Sequence, residues 1–313
     1  MIGYIIRRLG QAIIVMLLVS MLVFLMLHAL PGGLVRSQLG PKASRFAVHQ
    51  LTIEEGLTKP LPVQYGIWLS HVVQGNLGFS YKQNTPVATL LGEYIPRDLI
   101  LAGAALFVAI LVSIPIGMTQ GSRRNSAADY SFSGVLLAFY SMPYFLIGVI
   151  AIVVLNIWLG VLPSTAATFG QNIGTDVKVL VLPVLSLALA NIAYFSRYLR
   201  SAVIDNLQED YVRTARAKGA PRVRILLRHV LRNSLLPFIS AVGISLPLLV
   251  SGALVIEVLF DYPGMGLLFW DAQQHRTYPV LLGIILVVSA AVVIGNLLAD
   301  LAYAALDPRI RYD

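Results

Sequence analysis

Runs of about 20 apolar residues recur along this chain, and no other feature limits its possible folds so severely. Each is long enough to span a hydrocarbon core about 30 Å thick at roughly 1.5 Å of helical rise per residue. The runs are Leu9–Leu30, Leu99–Gln120, Phe132–Leu162, Val179–Phe195, Leu235–Phe260 and Val280–Ala299. Composition agrees: 57% of the 313 residues are hydrophobic and 12% are charged, against roughly 45–50% and about 25% in soluble domains. Mean hydropathy is +0.77. Arg7 and Arg8 precede the first run as in a secretory signal. That run is longer than a signal core and has no small-residue cleavage site, so it reads as a span. The expected fold is an all-α polytopic membrane protein with six transmembrane helices in one domain, residues 1–313.

The net charge of +8 is informative through its placement. With six spans and an inner N-terminus, most of the lysines and arginines fall on one side. They are Arg7 and Arg8, Arg123 and Arg124, Arg197 to Arg232, and Arg309 with Arg311. Short inner loops carry such an excess in membrane proteins, so both termini are expected inside a cell membrane. The same placement leaves a nucleic-acid partner unsupported and makes lipid headgroups a partner. The segment 31–97 is expected outside. Its middle carries Tyr65, Trp68, Leu69, Val72 and Val73 at helical spacing, bounded by Pro60 and Pro62 and by Gly75 and Gly78. We expect an interfacial helix with aromatics at headgroup level. Pro115, Pro143, Pro237 and Pro247 interrupt the apolar runs, as kinks or beside a water-lined path.

Between the fourth and fifth runs lies a charged stretch, 197–234, that contains "EDYVRTARAKGAPRVRILLRHVLRNSLLP". Leu207, Tyr211 and Ala215 share a helical face, Glu209 is spaced to pair with Arg213, and Gly219 suits a left-handed helix end. Pro221 restarts a helix in which Val223, Leu226, Leu227, Val230 and Leu231 fall on one side, opposite Arg224, Arg228 and Arg232. Two readings stand: a basic loop against anionic lipid, or a compact element that a cytoplasmic partner grips.

The stretches "DYVRTARAKG" and "LRHVLRNSLLP" resemble the coupling loop, or EAA loop, of bacterial ABC importer permeases of the oligopeptide, dipeptide and nickel group. "RRLGQAI", "KPLPVQY", "WLSHVVQGNLGFS", "SMPYF" and "IEVLFDYPGMGLLFWDA" resemble motifs of the same family, in the same order and over nearly the whole chain. The resemblance implies a type I ABC importer permease fold. It also implies work beside a second homologous permease, two ATPase subunits that bind ATP and Mg, and an extracytoplasmic solute-binding protein. Coupling to the ATPases is then expected from Asp210, Tyr211, Arg213, Thr214, Ala215, Ala217, Lys218 and Gly219, with Tyr211, Ala215 and Gly219 as the grip. A second inner loop, with Arg123, Arg124 and Asp129, is a further coupling candidate. Departures are Arg213, Thr214 and Ala215 where the general pattern has Glu-Ala-Ala, Pro31–Leu34 for Pro-Gly-Asp-Pro, Asn76 for Asp, and Thr277 for Asp.

The chain carries no chemistry of its own. Gly-Lys never occurs, which excludes a Walker A loop. There is no cysteine, and His28, His49, His71, His229 and His275 lack metal-ligand spacing, so no metal or cofactor is expected in this chain. Ser141, Pro143, Ser240, Ser245, Ser251 and Glu257 are candidates for a translocation path, although serines equally join helices. Glu257 and Asp300 also read as structural acids near the two ends of their spans. Peptides are the leading cargo; nickel, glutathione, haem and oligosaccharide are the alternatives within the family. A stand-alone secondary transporter is the rival outside it, and an embedded enzyme lacks the clustered groups it would need.

Overall fold

The computed structural model describes residues 2–29, 35–36, 39, 43–54, 57–80 and 82–306. In chain order the elements are α1 (Ile2–Ala29), α2 (Arg45–Glu54), α3 (Leu61–Val73), the strands β1 (Phe79–Ser80) and β2 (Thr85–Pro86), α4 (Val87–Ser122) and α5 (Ala127–Ser141). They continue with α6 (Tyr144–Ala151, prolonged as a π-helix over Ile152–Trp158), α7 (Ile173–Asn206), α8 (Asp210–Ala217) and α9 (Arg222–Arg224, prolonged as a π-helix over Ile225–Val230). Last come α10 (Leu231–Phe260), α11 (Met265–Gln274) and α12 (Tyr278–Leu306). Among the described residues five helices are long and apolar enough to cross a membrane, and two bent pairs bring the number to seven if each is one span. The described residues of five of the six apolar runs are helical throughout and the run 132–162 is helical except at 142–143 and 159–162, but α4 and α7 overrun theirs. At 36 residues α4 is about 54 Å long, well beyond the roughly 30 Å that lipid requires.

The chain divides into two compact units, one gathering residues up to Asp98 with Pro263–Leu297, the other centred on Leu99–Tyr262. In the first, Val87, Leu90 and Leu91 bury against Met265, Leu268, Ala272, Val280 and Ile284. A Cβ on Gly283 would come within 2.7 Å of Val87, so the contact depends on the missing side chain. Asp98 Oδ1 accepts the Met265 N–H at 2.7 Å, satisfying a donor that the start of α11 leaves open. Lys82 bonds both oxygens of Asp271, at 2.5 and 2.6 Å.

α3 forms between its expected bounds, and its aromatics pack toward α1. The Tyr65 hydroxyl lies 2.8 Å from Ser20 Oγ, and the Tyr65 and Trp68 rings stand 5.4 and 5.7 Å from that of Phe24 on α1. His28 on the same face bonds Gln64 at 2.8 Å. Tyr65 and Trp68 are thus half-buried against α1, while Val73 is exposed.

In the second unit α7 is the central helix, with Leu182, Leu187, Ala188, Ala193, Phe195, Leu199 and Val203 buried. The run 132–162 is broken rather than straight: α5 and α6 meet at 108°, with Met142 and Pro143 between them. Proline's ring crowds the residue before it out of the helical region, and Met142 is extended (φ −87°, ψ 137°). Pro115 and Pro237 lie inside continuous helices instead.

α4 approaches α7 through Gly117 and Gly121, four residues apart. A Cβ on Gly117 would lie 2.9 Å from Leu199 Cβ and 3.0 Å from the Ser196 carbonyl. On Gly121 it would lie 2.6 Å from Val203 Cγ1 and 3.0 Å from the Arg200 carbonyl. Small residues at this spacing let backbones meet, which is how helices associate where lipid removes the hydrophobic drive. α10 ends in a left-handed Asp261 (φ 52°), with the Tyr262 N–H donating to the Glu257 carbonyl at 2.8 Å.

Candidate functional site

The charged stretch folds as a helix, a corner and a second helix. Its short first helix, α8, is held by apolar contact: Val212 is fully buried and Tyr211 and Ala215 half-buried, packed with Leu207, Ile225, Val230 and Phe238. The Tyr211 hydroxyl donates to Asn206 Oδ1 at 2.5 Å, and Asn206 Nδ2 donates in turn to the Ala202 carbonyl at 2.8 Å. A chain of contacts therefore ties α8 to the end of α7. The other side presents Asp210, Arg213, Thr214, Arg216, Ala217 and Lys218, all exposed.

The three residues of the expected grip differ in exposure: Gly219 is exposed, while Tyr211 and Ala215 are half-buried. Tyr211 and Ala215 face the bundle, because the apolar stripe that spacing revealed is the stripe the protein buries. Arg213 pairs with Asp210, not Glu209, at 3.2 Å. With the two side chains 74% and 92% exposed, that pair contributes no more than about 1 kcal/mol.

The corner closes as spacing suggested. Gly219 is left-handed (φ 74°), the Ala220 N–H donates to the Ala215 carbonyl at 3.1 Å, and the Gly219 N–H donates to the Arg216 carbonyl at 2.9 Å. These crossed bonds form the Schellman closure, which satisfies carbonyls the helix end leaves open. Pro221 caps the next helix, and Arg222 Nη2 donates to the Ser122 carbonyl at the end of α4, 2.9 Å away. The π-helical stretch Ile225–Val230 then leads into α10. Its bonds reach one residue further than in an α-helix, so a face drawn at 100° per residue fails there. Ile225 and Val230 are buried, whereas Val223 and Leu227, expected on the apolar side, are 66% and 59% exposed.

The candidate second loop separates into two parts. Arg123 and Arg124 are exposed. Asp129 is buried: Arg200 Nε and Nη2 donate to its two oxygens at 2.8 Å each, and the Asn125 N–H donates to Oδ2 at 3.0 Å. A bidentate guanidinium–carboxylate pair of this kind fixes both groups. It anchors the start of α5 on α7 and leaves Asp129 no surface for a partner. Ser126 caps α5 by accepting the Asp129 N–H at 3.2 Å.

The hydroxyls of the described path serines bond within their own helices. Ser141 donates to the Leu137 carbonyl (2.9 Å), Ser240 to that of Leu236 (3.2 Å) and Ser245 to that of Val242 (2.7 Å). Ser245 and Glu257 are buried, while Pro143 sits exposed at the break between α5 and α6. The side chains of Ser251, Pro247 and Asp300, like residues 31–34, Arg309 and Arg311, lie outside the described ones. Among the described residues no group of three His, Asp or Glu could hold a metal ion.

The structure is that of a multi-pass helical protein with a helix–glycine–helix element packed on an apolar bundle. Comparison with known proteins assigns it to a family. Residues 113–312 match the family described as the binding-protein-dependent transport system inner membrane component, and residues 1–102 match its N-terminal family. The chain belongs to this family. The oligopeptide transport system permease protein AppB of Bacillus subtilis is 37% identical, with all of both chains covered. The glutathione transport system permease protein GsiC of Escherichia coli is 35% identical, again over both full lengths. A Brucella ovis protein provisionally named a peptide permease is 39% identical over 99% of each chain. Among solved structures, the inward-facing MetNI methionine ABC transporter superposes with a TM-score of 0.57 at 18% identity, over 70% of this chain and 96% of that one, a likeness of fold. The protein is thus a multi-pass permease subunit of an ABC importer and not itself an enzyme. Such a subunit works with ATPase and substrate-binding components.

Proposed function

We propose that this chain forms half of a peptide path across the cytoplasmic membrane, paired with a second homologous permease, driven by two ATPase subunits and supplied by an extracytoplasmic binding protein. Full-length similarity to proteins named for peptides, oligopeptides and glutathione supports peptide cargo. The basic bias of the loops holding α8 and Arg123–Arg124 supports their cytoplasmic placement, with both termini inside.

The observation that carries the coupling role is the construction of α8. Its apolar face is committed to the bundle, its polar face is exposed, and the closed Gly219 corner links it to α10 through the π-helical stretch. A push on the outer face is therefore carried into the span rather than absorbed by a loose loop. Turning an equilibrium between two packings from 1:99 to 99:1 needs about 5.5 kcal/mol of differential binding. Closing ATPases supply that difference only through a stiff link. Coupling is assigned to Asp210, Arg213, Thr214, Arg216, Ala217, Lys218 and Gly219, with Arg123 and Arg124 as a second contact.

The test is reconstitution of permease pair, ATPases and binding protein in proteoliposomes. Uptake of labelled di- to pentapeptides that needs ATP, binding protein and both permeases is expected. Uptake by this chain alone, or of nickel or sugar but no peptide, would contradict the reading.

A further inference from the structure

The second unit holds a recess of about 420 Å³ lined by Tyr140, Tyr194, Arg197, Tyr198 and Ser201. Tyr140 is the penultimate residue of α5, just before the break at Met142–Pro143. The other four lie on α7 at i, i+3, i+4 and i+7, the spacing of one helix face. Arg197 lies over the Tyr140 ring, 5.4 Å from its centroid, and the rings of Tyr194 and Tyr198 are 4.8 Å apart. The neighbours Phe195, Ser196 and Leu199 are buried in the bundle, while Arg197, Tyr198 and Ser201 are exposed.

Two properties separate this recess from the surface around it. Every lining side chain carries a hydrogen-bonding group, and no acid among the described residues pairs with Arg197. A guanidinium two residues past an apolar run is costly unless it meets water or an anion. The volume falls within the roughly 300–1,000 Å³ usual for small-molecule sites.

We propose that this recess is a transit site for peptides, in which Arg197 takes the C-terminal carboxylate and the tyrosines line the chain. Arginine's planar fork matches a carboxylate with two parallel hydrogen bonds. Tyrosine faces and hydroxyls accept varied side chains and backbone. Every free peptide carries this carboxylate, so holding it leaves side-chain selection to the binding protein. Ser141, Ser240 and Ser245 donate their hydroxyls within their own helices; Arg197 contacts the Tyr140 ring and pairs with no acid among the described residues. The inference rests on the peptide-import reading. The competing occupant is an anionic lipid headgroup, since arginine and tyrosine also gather at membrane interfaces.

The complete importer is reconstituted in vesicles of phosphatidylcholine alone and of phosphatidylcholine with phosphatidylglycerol. A peptide is supplied as its free acid and as its C-terminal amide, choosing a pair that the binding protein delivers equally. In both vesicles Arg197→Ala is expected to lower free-acid uptake about tenfold, as loss of a charge-assisted pair does, and amide uptake less than about twofold. Arg197→Lys should keep part of the free-acid uptake, and Arg197→Gln repeats the comparison if the alanine variant does not assemble. Equal losses for acid and amide overturn the transit site alone. A loss seen only with phosphatidylglycerol assigns the recess to lipid and overturns it too. A wild-type complex that moves neither peptide overturns peptide import, and the transit site with it.

Discussion

Gly219 gives the sharpest handle on coupling, because its conformational and steric roles separate cleanly. Its φ of 74° lies in the left-handed region, and a Cβ built there meets nothing within 4 Å. A side chain at this corner would therefore cost backbone strain and no collision. For alanine that strain is about 1–2 kcal/mol. Asparagine, which tolerates the left-handed region, should cost much less, and valine, as a β-branched residue, should cost most. One or two kcal/mol shifts a local equilibrium by a factor of roughly 5 to 30. The corner glycine is exposed, so insertion into the membrane should hardly change. The assay compares Gly219→Asn, Gly219→Ala and Gly219→Val for membrane abundance, for the ATPase subunit that co-purifies, and for ATP-driven uptake. We expect abundance to stay level while co-purification and uptake fall in the order Gly, Asn, Ala, Val. Wild-type uptake in Gly219→Val would refute the argument. Asparagine as damaging as valine would also refute it, because size rather than φ would then be limiting.

Other perturbations follow from the packing. Gly121→Ala should lower the melting temperature in detergent, at a cost of about 1–3 kcal/mol, because its Cβ would sit 2.6 Å from Val203; Gly134→Ala, where nothing lies within 4 Å, is the neutral control. Asp129→Asn should destabilise by about 2–3 kcal/mol, below the 3–5 typical of a fully buried pair because Arg200 is 29% exposed. Removing both charges, with Arg200→Met added, should recover part of that loss in a double-mutant cycle of thermal melts. Tyr211→Phe deletes the bond to Asn206 and should cost about 1 kcal/mol of stability, whereas Arg213→Ala should leave the melt unchanged and act on ATPase co-purification.

How much of this was legible beforehand depends on whether a feature needs its neighbours. The apolar runs were, because crossing lipid imposes a length that one strand of sequence displays by itself. So was the Gly219 corner, a local matter of φ and of hydrogen bonds within six residues. The break at Pro143 was not: Pro115 and Pro237 interrupt apolar runs as well and remain within continuous helices. Gly117 and Gly121 stand four apart in "GMTQG", but only the approach of Ser196, Leu199, Arg200 and Val203 gives that spacing meaning. α8 shows the limit most plainly. Its amphipathic spacing was readable, yet spacing alone cannot say whether the apolar stripe meets the bundle or a partner. Val212, at the centre of the buried face, passed unnoticed. The π-helical stretch Ile225–Val230 has no sequence signature, and within it Leu227 is exposed although helical periodicity groups it with the buried Val230.

The most direct test of coupling uses the absence of any native cysteine in the chain. One cysteine is placed on the exposed face of α8, as Ala217→Cys, and in a second variant on its buried face, as Val212→Cys. Both are treated in intact membranes with a short bifunctional reagent. An ATPase subunit captured from position 217 and not from 212, with a yield that changes when ATP is trapped, is the expected result. Capture from neither position, while peptide uptake remains ATP-driven, would contradict α8 as the point where the ATPases take hold.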